Sequence, residues 1–176
     1  MEFEFMILDW LQSLRTPFLD TFMPLVSSLG NAGIFWIILT LALLLFQKTR
    51  KIGVCVALAL IFDLLLCNLL IKPLVARPRP FVVNSAIELI IPAPAEYSFP
   101  SGHTAVSFAA VTALFLSKQK WLWVPGLVLA VLIAFSRMYL YVHYPTDILG
   151  GIFVGIAAGS LGVFCARRLS AIAKKS

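Results

Sequence analysis

Residues 52–71 read IGVCVALALIFDLLLCNLLI, twenty residues in which Asp63 is the one charged side chain. At about 1.5 Å per helical residue, such a run covers the roughly 30 Å of a bilayer's hydrocarbon. Two more runs are of similar length, Trp121–Tyr141 and Ile148–Ala166. Two shorter ones reach a full span if their helices begin early: Thr104–Leu116 from Ser101, and Gly33–Phe46 from near Gly30. The composition agrees. Of 176 residues, 61% are hydrophobic and 12% charged, where soluble domains are about half apolar and a quarter charged. A water-soluble globule, a disordered tail and a disulfide-stapled secreted module are thereby excluded. The expectation is an all-α, integral-membrane helical bundle. It has five transmembrane helices plus an N-terminal helical segment, all within one membrane-embedded domain over residues 1–176.

That N-terminal segment mixes Phe3, Phe5, Ile7, Leu8, Trp10, Leu11 and Leu14 with Glu2, Glu4, Asp9 and Arg15, and Pro17 interrupts it. An amphipathic helix lying in the interface fits this pattern; Pro17–Leu29 could instead complete a sixth crossing. The acidic start MEFEF is unlike a signal peptide, so the spans themselves are expected to target the chain. In the last span Gly151, Gly155 and Gly159 recur every fourth residue, a small-residue stripe that lets another helix approach closely. Cys55, Cys67 and Cys165 all fall in apolar runs. The first two, about 18 Å apart on one helix, cannot bridge.

Basic residues in short loops set the orientation. Lys48, Arg50 and Lys51 follow the first span, Lys118 and Lys120 the third, and Arg167, Arg168, Lys174 and Lys175 the fifth. Alternating crossings bring all three clusters to one side, expected to be cytoplasmic together with the C-terminus. The net charge of +6 is therefore a loop property. No basic stripe interleaved with aromatics is present, so nucleic acid is not an expected partner.

Against that trend, Lys72, Arg77, Arg79 and Arg137 lie at the opposite ends of the spans, with His103, His143 and Asp147. Three separate segments thus carry cations, imidazoles and a carboxylate to the outer boundary, and an anion site is the natural reading. Lys72 supplies a point charge, and Arg79 and Arg137 supply forks matched to phosphate oxygens. Pro100-Ser101-Gly102-His103 opens a helix whose first N–H groups favour an anion, with Ser101 as candidate N-cap and Gly102 allowing close backbone approach. His143 and Asp147, four residues apart with Pro145 between them, suit an imidazole whose tautomer a carboxylate fixes. His103, on a different segment, can protonate a leaving oxygen. Taken together these are a nucleophile, its orienting carboxylate, a general acid and a cationic clamp.

The three segments, Lys72-x6-Arg79-Pro80, Pro100-Ser101-Gly102-His103 and Ser136-Arg137-x5-His143-x3-Asp147, resemble the signature of the type 2 phosphatidic acid phosphatase superfamily. The resemblance implies a helical-bundle phosphatase that passes through a phosphohistidine without a metal or other cofactor. By position it implies His143 as nucleophile, Asp147 as its partner and His103 as general acid. It implies phosphate binding by Lys72, Arg79, Ser101, Gly102 and Arg137. The outer loop, Pro73–Pro100, leaves no room for an added soluble domain, so an amphiphile arriving through the bilayer is the expected substrate. Undecaprenyl pyrophosphate ranks first, beside lipid A 1-phosphate, phosphatidylglycerophosphate and phosphatidic acid. The site is expected on the periplasmic or extracellular side of the cytoplasmic membrane.

Other readings stand beside this one. A lipid-to-lipid phosphotransferase would use the same histidine, and a non-catalytic anion transporter would use the same cations. A metal held by the histidines and Asp147 is disfavoured by three crowding cations. Arg77, outside the pattern, is expected to snorkel toward lipid phosphates, and Glu88 and Glu96 to be solvated. Asp63 is expected to be a protonated or interhelically bonded carboxyl, and Asn68 to steady Lys72 or a neighbouring helix. A neutral nucleophile and a protonated acid together predict a bell-shaped pH profile. Oligomeric state is not encoded legibly.

Overall fold

The computed structural model describes residues 2–172, and among them every regular element is a helix and none is a strand. In order, α1 is Glu2–Ser13, α2 Pro17–Ser28, then a 3-10 turn Asn31–Gly33, and α3 Ile34–Leu45. Next come α4, Arg50–Asp63, a π-helical stretch Leu64–Ile71, and the short α5, Lys72–Val75, and α6, Pro80–Val83. The last three are α7, Gly102–Leu116, α8, Lys120–Tyr139, and α9, Pro145–Ile172. Arg50–Val83, α8 and α9 are each long and apolar enough to cross a membrane, and α2 with the segment Asn31–Leu45 forms a pair bent by 45°. The apolar α7 is shorter, 15 residues. The protein is an integral membrane protein. Lys174 and Lys175 lie outside the described residues.

The glycine stripe determines how the bundle closes. A Cβ at Gly151, Gly155 or Gly159 would stand 2.8, 2.5 and 2.6 Å from the backbone carbonyls of Ser101, Ala105 and Ala109. All three glycines therefore face α7 or the residue that precedes it, at a separation no side chain permits. One turn on, Gly162 faces the Ala59 backbone nitrogen of α4 just as closely. Helix α7 answers with Ala105, Ala109, Ala110 and Ala113, all fully buried. The result is a tight α4–α7–α9 core in which α7, bearing His103, and α9, bearing Asp147, are held backbone to backbone. The three cysteines are unpaired.

The first span begins earlier than its hydropathy suggests. Tyr139 donates its hydroxyl to Asp20 at 2.7 Å, Arg137 bonds Ser27 at 2.5 Å, and a Cβ on Gly30 would lie 3.0 Å from Ile133. The contact thus moves steadily down α8 as α2 proceeds, and α3 continues inward from there. Helices α2 and α3 therefore form one bent pair descending α8, with Pro17–Leu29 as its first half. The break falls at Gly30–Gly33, where Ala32 and Gly33 take φ of 48° and 67°. Only α1 remains as the interfacial segment. It buries Leu8 and Leu11 and leaves Phe3, Met6 and Trp10 exposed.

The chain direction alternates, so Lys72, His103, Arg137 and Asp147 gather at one end. Arg50, Lys51 and Arg167 gather at the other, around a second cavity.

Candidate active site

A cavity of about 830 Å³ occupies the first of these ends. Lys72, Arg79, Gly102, His103, Arg137 and His143 all line it. From this cluster it continues between α3 and α4, past Asn68 and Asp63, to Ile37, Ile61 and Leu64. Those three side chains are exposed on the flank of the bundle, so the cavity opens sideways, where acyl or prenyl chains lie. The π-helical stretch contributes here. Its i→i+5 ladder sets Asp63 and Asn68 one wide turn apart on the cavity wall, and Lys72 follows where the helix tightens again.

His143 sits in the turn before α9 and Asp147 in that helix's first turn. The Asp147 Oδ2 accepts the Tyr144 N–H at 2.9 Å and the Ser98 hydroxyl at 2.5 Å, and lies 3.4 Å from His143 Nδ1. A carboxylate in the first turn reaching back to the residue before Pro145 is the acidic half of a capping box. On the other side of the ring, Arg79 Nη1 stands 3.2 Å from His143 Nε2. A guanidinium can only donate, so Nε2 is the acceptor and the ring proton resides on Nδ1, toward Asp147. The lone pair of Nε2 therefore points toward the cations. Burial pushes His143 down to about 3; Asp147 opposes this, and Arg79 and Arg137 reinforce it. The imidazole stays neutral across the range in which an ordinary histidine titrates.

Arg79 is held by the Glu96 carbonyl at 2.6 Å and the Val142 carbonyl at 2.9 Å. The loop charge Glu96 stays largely in solvent, as expected, but its carboxylate also bonds Lys72 Nζ at 2.5 Å and lines the cavity. That contact holds its carboxyl below the usual range. The attraction of a carboxylate for the one buried ammonium nearby explains the difference. Arg137 bonds Ser27 through Nη1, and its buried Nε has no partner. An unsatisfied guanidinium N–H on a residue lining this cavity leaves a donor for an incoming anion.

His103 opens α7. Its Nε2 bonds Asn31 Oδ1 at 2.8 Å, so Nε2 carries a proton there and Nδ1 is the atom left to take up a second one. The break between α2 and α3 makes room for the ring: a Cβ on Gly30 would come within 2.7 Å of it. Behind it, Trp36 donates to Ser107 at 2.9 Å, and Ser107 donates to the His103 carbonyl at 2.7 Å.

Ser101 departs from expectation. It occupies the N-cap position, but its side chain makes no cap bond. Its hydroxyl accepts from Thr104 at 3.0 Å, and its N–H donates to the Asp147 carbonyl at 3.1 Å. It ties α7 to α9 and is absent from the cavity wall, while the α7 first turn keeps its N–H groups uncapped beside Gly102. Arg77 departs too: it does not snorkel but bonds Asp147 Oδ1 at 2.7 Å. Asn31, Ser27, Ser98 and Glu4 were not singled out by sequence. Each is a lone polar residue whose partner lies more than forty positions away.

Residues 50–170 match the family model described as PAP2 superfamily. The chain is 35% identical over 137 residues to an undecaprenyl-diphosphatase of Sulfolobus acidocaldarius, covering 78% of this chain and 66% of that one. It is 38% identical over 97 residues to the undecaprenyl-diphosphatase BcrC of Bacillus subtilis, covering 55% and 49%. The chain thus spans between about half and two thirds of the length of these two relatives. The crystal structure of Aquifex aeolicus LpxE superposes with a TM-score of 0.78 at 27% identity, covering 90% of this chain and 93% of that one.

Proposed function

The chain belongs to the PAP2 superfamily, and from that premise we propose that it is a membrane lipid phosphatase working through a phosphohistidine on His143. The observation that carries this reading is the orientation of one ring. His143 is neutral, its proton is directed to Asp147, and its bare Nε2 faces Arg79 in a cavity lined by three cations.

The terminal phosphoryl group binds between Lys72, Arg79, Arg137 and the first turn of α7. Arg79 turns from Nε2 to a phosphate oxygen, which releases the nucleophile. The Nε2 lone pair then forms an N–P bond while the bond from phosphorus to the departing lipid oxygen breaks. His103, carrying its second proton, gives that proton to the leaving oxygen. Asp147 stabilises the positive charge that develops on His143. Water next attacks phosphorus, its proton passes to His103, the N–P bond breaks, and phosphate leaves. The cations oppose the charge that develops on the equatorial oxygens.

The lateral opening beside Ile37, Ile61 and Leu64 suits a substrate whose tail stays in the bilayer. Undecaprenyl diphosphate is the first candidate, since two relatives are named for its hydrolysis. The cationic cluster of Arg50, Lys51 and Arg167 supports a cytoplasmic far end, with the site on the outer face.

The test is phosphate release by the detergent-purified protein, with EDTA present, from undecaprenyl diphosphate, lipid A 1-phosphate, phosphatidylglycerophosphate and phosphatidic acid. Release from at least one lipid, abolished by His143→Ala, is expected. Release lost on chelation, or retained in the variant, would contradict the mechanism.

A further inference from the structure

We propose that Arg77, backed by Glu4 of α1, is a positioning residue that acts through Asp147, so that the interfacial helix α1 belongs to the catalytic machinery. The inference rests on the phosphohistidine reading above. Arg77 stands two residues before Arg79 in the same proline-punctuated loop. It is not on the cavity wall, where Lys72, Arg79 and Arg137 are, so it does not meet the phosphate. Its fork points the other way. Nη1 donates to Asp147 Oδ1 and to Thr146 Oγ1, each at 2.7 Å, and Nη2 donates to Glu4 Oε2 at 2.7 Å. The guanidinium carbon lies 3.8 Å from the centre of the Tyr144 ring. Thr146 closes the ring of contacts by donating to Glu4 Oε1 at 2.5 Å.

The division of labour on Asp147 gives these contacts their meaning. Oδ2 takes Ser98, the Tyr144 N–H and the His143 side. Oδ1 has Arg77 as its partner, in a side chain with no exposure to solvent. A bidentate-capable cation on one oxygen sets the rotation of the carboxylate and so keeps the other oxygen aimed at Nδ1. Without Arg77, Oδ1 is a buried, unpaired oxygen, and the Ser98 and Tyr144 contacts on Oδ2 are left alone to keep the carboxylate from turning away from the imidazole. Lysine reaches one of these partners but not all of them. Glu4 holds the guanidinium in place, and it is itself held because Leu8 and Phe5 of α1 pack on Tyr141 and Tyr144.

The test compares Arg77→Ala, Arg77→Lys, Glu4→Gln and the Arg77→Ala/Glu4→Gln double variant in the full-length protein, using whichever lipid phosphate the wild type hydrolyses. The expected result is a kcat lowered about 10- to 100-fold in Arg77→Ala, with KM and the inhibition constant for inorganic phosphate within about twofold. Arg77→Lys regains part of the loss. Glu4→Gln loses about two- to fivefold in kcat, and the double variant is no worse than Arg77→Ala. An unchanged kcat in Arg77→Ala, or a loss carried by KM and phosphate affinity, overturns the proposal. Should Arg77→Ala fail to fold, Glu4→Gln and Arg77→Lys decide: a wild-type kcat in both overturns it. A wild type that hydrolyses none of the lipids instead overturns the phosphatase reading, and this inference with it.

Discussion

Replacing Glu96 with glutamine removes the one carboxylate that stands on the phosphate clamp. In the free protein its Oε2 lies 2.5 Å from Lys72 Nζ, with side-chain exposures of 69% for Glu96 and 8% for Lys72. An incoming phosphate must take Lys72 from it. Because the glutamate half of the pair is largely in solvent, breaking the contact is worth only about 0.2–1 kcal/mol. A second effect adds to this. A carboxylate about 5 Å from a phosphate charge opposes it by about 0.8 kcal/mol when the effective dielectric is that of water. Together these give about 1–2 kcal/mol, or roughly 5- to 30-fold tighter binding of inorganic phosphate to Glu96→Gln. The assay is competitive inhibition of lipid hydrolysis by phosphate across pH. Lys72 holds the Glu96 carboxyl below its ordinary value, so the wild type frees its clamp only as pH falls below about 4.3. The advantage of the variant should therefore persist at neutral pH and shrink toward acid. Equal or weaker phosphate binding by Glu96→Gln at pH 7 would refute the idea that Glu96 competes for the clamp.

Asn31→Ala takes the acceptor from His103 Nε2 and should lower kcat on the lipid about tenfold, a fraction of what a general acid contributes. The loss should shrink on p-nitrophenyl phosphate, whose leaving group needs little help from a proton; an equal loss on both would speak against the assignment. Gly155→Val would place a side chain 2.5 Å from the Ala105 carbonyl. It should destabilise the bundle by about 1–3 kcal/mol in detergent unfolding, and reduce activity by separating His103 from Asp147.

The spans, the glycine stripe and the convergence of His103, His143 and the cations were legible because each rests on local spacing: twenty apolar residues, a repeat of four, a histidine just past a helix start. What was not legible depends on distance. Glu96 reads as a solvated loop charge until the fold sets it on Lys72, twenty-four residues away. Arg77 is discounted by the very spacing that selects Arg79, and its partners Glu4 and Asp147 lie about seventy positions to either side. Pro17 reads as an interruption, whereas in the fold it opens α2, and Asp20 in that first turn is paired with Arg15 and Tyr139. Ser101 has the residue type and backbone of a cap, yet the Thr104 hydroxyl reaches it first. The acid limb of the bell-shaped profile should lie below the usual imidazole range for a related reason, since burial holds His143 neutral there. Only the fold reveals that His143 is fully enclosed.

The most direct test of the account is to trap the intermediate. The protein is mixed for a few milliseconds with lipid substrate radiolabelled on its terminal phosphoryl group, denatured in alkali, and the protein-bound label followed. The account predicts a stable label in alkali that is lost on brief exposure to acid, as an N–P bond requires, that maps to His143 and is absent from His143→Gln. Turnover without any bound label, or a label that survives in His143→Gln, would contradict it.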